Sequence, residues 1–261
     1  MENTYHMKIM KNKIYINNSV YLIIFISLIT GMFKSISIIM LIITIHELGH
    51  IIFLKKFKYQ IKKIEIWPFG GITKVEKKLN TPINEEIIIA VGGIFFQTIL
   101  AIVFYHIKTV GILSYITYDV FKKYNLTILL FNLLPIIPLD GSIIIKSIFE
   151  KFLTFNQSYL VSTIISIISL MAFITYNYIF SLNNYIIITF LLYKIITNIK
   201  DFKYTKNKFL LERYLYEFPY RKIYHEKKSN HNILRKETLH FFKEDTKYVH
   251  ERSILGKLFD K

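Results

Sequence analysis

The sequence contains no cysteine. That excludes disulfide scaffolds, cysteine-zinc sites, iron–sulfur clusters and thiol catalysis together, so any metal must be held by His, Asp or Glu. Acidic residues are scarce, 18 against 34 lysines and arginines, which leaves a formal net charge of +16. Alanine occurs only at Ala90, Ala101 and Ala172. No A-x-A-like cleavage site therefore follows the apolar run after Lys8, Lys11 and Lys13, and that run reads as a membrane span rather than a removable signal. Linkers rich in Pro, Gly or Ser are missing, as are internal repeats. The positive charge comes with no recognised nucleic-acid motif; it sits on joints flanking apolar blocks, where membrane orientation and anionic headgroups already call for it.

What is present is apolar sequence in long blocks: 52% of residues are hydrophobic and 20% charged, with a mean hydropathy of +0.36. A helix crosses the hydrocarbon core with about 20 mostly apolar residues. Six windows fit this length, near Val20 to Phe33 (extended upstream by Ile14 and Ile16), Ser35 to Leu54, Ile87 to Ile107, Tyr124 to Ile145, Tyr159 to Phe180 and Tyr185 to Ile199. The expected fold is an all-α polytopic membrane protein of about six transmembrane helices, with a short membrane-associated β-hairpin or loop and a cytoplasmic tail. Residues 1–13 form the N-terminal segment, 14–199 the six-span domain and 200–261 a basic tail.

Lys and Arg are retained in the cytoplasm. With the N-terminus inside, that side collects Lys8, Lys11, Lys13, the cluster from Lys55 to Lys78, Lys146, Lys151 and the tail after Lys200. The outside keeps Lys34, Lys108, Lys122 and Lys123. Both termini are expected to be cytoplasmic, in agreement with the even span count.

Placing an ionisable side chain at mid-bilayer costs about 2.5 to 3.5 kcal/mol even on the lenient insertion scale. The second span nevertheless carries His46-Glu47-Leu48-Gly49-His50, and the fourth contains Asp140. Residues four apart on a helix share a face, so two imidazoles can converge on one cation, while Glu47 projects beside them and can move protons without ligating the metal. The bland alternative, three groups satisfying one another in a bundle, fits poorly with otherwise uncharged sequence of lipid length. Two His ligands leave a tetrahedral zinc short of one protein ligand. Asp140 is the other acidic residue deep in apolar sequence, in Asn132-Leu133-Leu134-Pro135-Ile136-Ile137-Pro138-Leu139-Asp140-Gly141. Pro135 and Pro138 should break the helix there, and broken backbone at membrane depth is tolerated only against protein or a watery cavity. Asn132 either hydrogen-bonds a substrate peptide or satisfies freed carbonyls. Imidazole and carboxylate donors suit zinc, one ion per chain.

HELGH in an early span with NLLPIIPLDG in a later one resembles the site-2 protease family of intramembrane zinc metalloproteases. Phe209-Leu210-Leu211-Glu212-Arg213-Tyr214, after the last span, resembles its sporulation branch more closely. The resemblance implies that His46, His50 and Asp140 bind zinc and that Glu47 is the catalytic acid/base. It further implies Asn132, Pro135, Phe69, Gly70 and Gly71 as substrate-binding positions. The implied substrate is the membrane-associated pro-sequence of pro-sigma-K, in the mother-cell membrane around the forespore of a bacterium, with SpoIVFA- and BofA-like inhibitory membrane proteins as partners. Two features depart from the family. Val91-Gly92-Gly93-Ile94-Phe95-Phe96-Gln97 stands where many members read A-G-P-x-x-N, so the Asn position is Phe96 and Gln97 is a misaligned substitute. The tail is also too short and too basic for the nucleotide-sensing CBS domain of some relatives.

Between the second and third spans, Ile61–Trp67 and Ile72–Val75 are β-prone runs around Pro68-Phe69-Gly70-Gly71. A hairpin there can capture an extended substrate strand, or can be an ordinary connector with Trp67 at the headgroups. Two other functions are compatible with the residues alone. One is a divalent-metal transporter with His46, His50 and Asp140 as a transit site; the other is an inactive scaffold.

Overall fold

The computed structural model describes residues 14–67, 70–76, 78–176, 182–227, 230–244 and 247–260. The chain divides into two compact units, one formed by residues up to 77 with 88–132, the other by 78–87 with 133–261.

In the first unit, strand β1 (Ile14–Ile16) leads into helix α1 (Asn18–Ile29). The helix starts at Asn18 because Asn17 caps it, its Oδ1 accepting from the Ser19 backbone N–H at 2.9 Å. Ile14 and Ile16 therefore lie outside the first helix, contrary to expectation. As part of an Ile-Tyr-Ile run they suit a pleated strand, and β1 pairs in parallel with β2. Gly31, at φ +70°, turns the chain into α2 (Phe33–Lys56), whose last turn carries Lys55 and Lys56 where the helix dipole favours cations. Strands β2 (Gln60–Trp67) and β3 (Gly70–Glu76) then pair antiparallel as expected of a hairpin, giving a sheet of order β1-β2-β3. Helices α3 (Ile83–Thr109) and α4 (Tyr115–Leu133) follow. Ile38 and Ile42 of α2 pack on Phe121 of α4, which stacks on Phe104 of α3 with centroids 3.9 Å apart. Ile51 and Leu54 pack on Ile61 of β2.

In the second unit, α5 (Asp140–Glu150), α6 (Phe155–Tyr176) and α7 (Leu182–Leu215) precede a sheet in which β4 (Lys222–Glu226) runs parallel to β5 (Thr238–Glu244) and β5 antiparallel to β6 (Lys247–His250). Helix α8 (Glu251–Phe259) closes it. Phe155, Phe209, Leu210, Leu234, Phe242 and Leu255 form its core. A buried ion pair and a buried ion triad lie beside that core. Arg213 donates from Nε and Nη2 to Glu251 at 3.0 and 2.7 Å, and Lys236 Nζ lies 3.0 Å from Glu86 and 2.8 Å from Glu150. Burial works against the charge on Lys236, but Glu150 and Glu86 outweigh it and hold its pKa above the ordinary lysine value. His240 accepts from the Arg235 N–H through Nε2. Burial, with Arg213 and Arg235 nearby, pulls its pKa down to about 3, so it is neutral at pH 7 although Glu226 is 3.8 Å away.

Among the described residues, three helices are long and apolar enough to cross a bilayer: α2, α3 and α6. Only 22% of the apolar stretch of α3 is buried, while Phe95, Ile102, Val103 and Tyr105 face outward and Gln97 is fully buried. Apolar outside and polar inside is the pattern of a helix solvated by lipid. Helix α6 repeats it, with Ser158 and Ser166 fully buried and Ser162 and Ser166 donating to the carbonyls of Tyr159 and Ser162. The remaining windows differ from single spans. Helix α1 has 12 residues, about 18 Å of rise. The window from Tyr124 to Ile145 is split, because α4 ends at Leu133 and α5 begins at Asp140. That from Tyr185 to Ile199 is the first half of the 34-residue α7.

Candidate metal centre

The centre begins with a close helix crossing inside the first unit. A Cβ on Gly49 of α2 would run into the Gly92 carbonyl of α3, and one on Gly92 would come within 2.5 Å of the Phe53 ring. Small residues at such a crossing let backbones approach. The glycine inside HELGH thus brings one face of α3 against both histidines.

Three positions four residues apart on α3 meet them. The backbone carbonyl of Ile89 accepts from His50 Nδ1 at 2.7 Å. Gln97 Oε1 is 3.0 Å from His46 Nδ1. Gly93, between the two, leaves the space its side chain would fill, since a Cβ there would stand 2.5 Å from His50 Nε2 and 2.7 Å from His46 Nε2. The two Nε2 atoms face each other at 3.1 Å. Two imidazole nitrogens bound to one tetrahedral zinc, each about 2.0–2.1 Å from it, would be about 3.3 Å apart. His46 is buried, and Glu47 and His50 are half-buried.

Asp140 is positioned by the proline segment of the second unit. After α4 ends, Leu139 donates to the Ile136 carbonyl at 2.8 Å and Ile137 donates to Ser166 Oγ at 3.3 Å, so part of the freed backbone is satisfied. The Ile137–Pro138 peptide is cis. Gly141 must be glycine, because a Cβ would collide with the carbonyls of Leu133 and Leu134. Asp140 consequently occupies the first turn of α5, where the helix dipole favours a carboxylate. His46 and His50 thus stand in the first unit and Asp140 in the second.

Two imidazoles with their Nδ1 sides occupied, a cradle kept clear by Gly93 and a carboxylate are donors of the kind zinc takes. Asn132 is half-buried near the end of α4, and Pro135 is half-buried in the segment before α5. Gly70 and Gly71 open β3, opposite Trp67 and Ile66; Phe69 lies outside the described residues. Sequence reasoning did not reach the Ile89 carbonyl or the steric role of Gly93. The spacing 89, 93, 97 was the available signal, since those positions share one helix face.

A family profile described as "Peptidase family M50" matches residues 34–122. Stage IV sporulation protein FB of Bacillus subtilis (strain 168) is 30% identical over 205 residues, covering 77% of this chain and 71% of the relative. A zinc metalloprotease of Methanocaldococcus jannaschii is 32% identical over 124 residues, 46% of this chain and 34% of that protein. Among solved structures, the site-2 protease from Methanocaldococcus jannaschii superposes with a TM-score of 0.52 at 22% identity, covering 71% of this chain and 89% of that one. The fold is shared.

Proposed function

From the premise that this chain belongs to peptidase family M50, the site-2 proteases, we propose that it removes the membrane-associated pro-sequence of pro-sigma-K during sporulation. The chain is an intramembrane zinc metalloendopeptidase of site-2 type. The sporulation assignment draws its support from the 30% identity to Stage IV sporulation protein FB.

In this reading His46, His50 and Asp140 hold the zinc. When bound, zinc supplies a Lewis acid that makes water a usable nucleophile near neutral pH. Ile89 and Gln97 hold the two imidazoles in place through Nδ1. Glu47, one residue beyond His46 on α2, takes the proton from the attacking water and returns it to the leaving amine. Asn132 and Pro135 contact the peptide, and so do Phe69, Gly70 and Gly71. In the first sheet β3 is an edge strand; a substrate segment pairing along it would be held extended, which frees its scissile carbonyl from helical hydrogen bonds. The chain crosses the mother-cell membrane around the forespore about six times, with residues 1–13 and 200–261 in the cytoplasm, and is restrained by SpoIVFA- and BofA-like inhibitory membrane proteins.

The observation that carries the catalytic reading is the facing pair of Nε2 atoms at 3.1 Å, each imidazole tethered through its other nitrogen. The test is co-expression of wild type or Glu47→Gln with pro-sigma-K. Glu47→Gln should keep zinc and lose cleavage, since an amide cannot relay the proton. Full cleavage by that variant would reject the mechanism, and an uncleaved substrate with active wild type would reject the substrate.

A further inference from the structure

Gln97 is fully buried on the face of α3 that meets the two histidines, and both ends of its amide are used. Nε2 donates to the backbone carbonyl of Asn125 in α4 at 2.8 Å, and Oε1 lies 3.0 Å from His46 Nδ1. A backbone carbonyl can only accept. That fixes which end of the amide faces it, because the reverse orientation would set two oxygens against each other. With NH2 turned to Asn125, the oxygen must face His46, and an oxygen there requires a proton on Nδ1. The proton on His46 is thereby kept off Nε2, the nitrogen that faces His50.

We propose that Gln97 is a positioning residue for the metal: through Asn125 it locks His46 in the Nδ1–H tautomer and aims Nε2 at the ion. The proposal rests on the zinc reading of His46 and His50. The Ile89 carbonyl does the same for His50, so the centre uses a main-chain acceptor for one imidazole and a side-chain amide for the other. Only the second can be removed by substitution without moving backbone. A partner that donates back to the fold also explains why a polar side chain is retained one position after Phe96: Gln97 lies four residues beyond Gly93 and eight beyond Ile89, on the face that meets α2.

The experiment uses the full chain purified in detergent. Gln97→Met keeps the length of the side chain and removes both hydrogen bonds; Gln97→Glu keeps an acceptor for His46. Zinc affinity is read by competition with a chromophoric chelator. Gln97→Met should bind zinc about 10- to 100-fold more weakly than wild type, the usual cost of losing a partner behind a ligating histidine, and Gln97→Glu, which keeps the acceptor for His46 but turns an oxygen toward the Asn125 carbonyl, should recover only part of it. Wild-type affinity in Gln97→Met would overturn the proposal while leaving the zinc reading intact. Zinc failing to bind wild type would overturn both. A second measurement needs no variant. With ring-15N histidine in metal-free wild type, assigned by comparison with His46→Gln, the His46 signals should report a protonated Nδ1 and a bare Nε2; the opposite tautomer would overturn the proposal.

Discussion

Adding one methyl group at Gly93 should disable the metal centre. The Cβ of an alanine would stand 2.5 Å from His50 Nε2 and 2.7 Å from both Cε1 and Nε2 of His46. Real Cβ atoms essentially never approach closer than 3.0 Å, so at least half an ångström of displacement is needed, and against both rings at once. Neither ring is free to give way. His50 is held by the Ile89 carbonyl at 2.7 Å and His46 by Gln97 at 3.0 Å. Losing one partner behind a metal-bound histidine costs about 10- to 100-fold in affinity; disturbing both while occupying the space between the Nε2 atoms should cost on the order of a hundredfold or more. The assay is zinc per chain in purified Gly93→Ala after dialysis against a weak chelator, alongside cleavage of a co-expressed substrate. Stoichiometric zinc and undiminished cleavage would show that the ion does not bind where the two Nε2 atoms face each other.

Asp140→Asn should lower zinc affinity on the order of tenfold or more, because a neutral amide replaces a charged ligand; unchanged retention in the same dialysis would remove Asp140 from the ligand set. Lys236→Met removes the cation shared by the buried Glu86 and Glu150 and should destabilise the second unit by about 3–5 kcal/mol. Adding Glu86→Gln and Glu150→Gln should recover part of that loss in thermal unfolding, and no recovery would deny the ion triad its role. Stability of the same unit should fall on acidification. His240 has a folded-state pKa of about 3 against an ordinary value near 6.5, so the unfolded chain binds the extra proton first. The contribution, on the order of a few kcal/mol, is complete above about pH 6.5 and is lost as pH drops toward 3. His240→Leu should flatten that slope between pH 7 and pH 4, as followed by limited proteolysis of residues 216–260, and an unaltered slope would assign it to other groups.

The chemistry was more legible in the sequence than the architecture around it. HELGH and the proline-bounded Asp140 stand out because ionisable groups are costly in lipid-length apolar sequence, and the break at Pro135 to Leu139 follows from lost helix hydrogen bonds. The hairpin was legible because β2 and β3 pair locally across a short turn. The β4–β5 pairing was not, since it is parallel and spans a longer connection whose register nothing local announces. The tail reads from its sequence only as basic, yet Arg213, Glu251 and Lys236 are buried and paired; composition does not separate a charge facing water from one facing its partner. For the same reason Phe209 to Tyr214 looked like a family signature alone, whereas Phe209 and Leu210 are core residues and Glu212 accepts from the Leu79 N–H. Windows of apolar residues also overlook ends: the Asn17 cap and the Gly31 turn shorten α1, and hydropathy registers neither.

X-ray absorption at the zinc edge of the purified wild-type chain decides whether two imidazoles share one ion. One zinc per chain is expected, with a four-coordinate shell of light atoms and the outer-shell scattering of two imidazoles. A zinc shell with no histidine scattering, or protein that never acquires stoichiometric zinc, would contradict it.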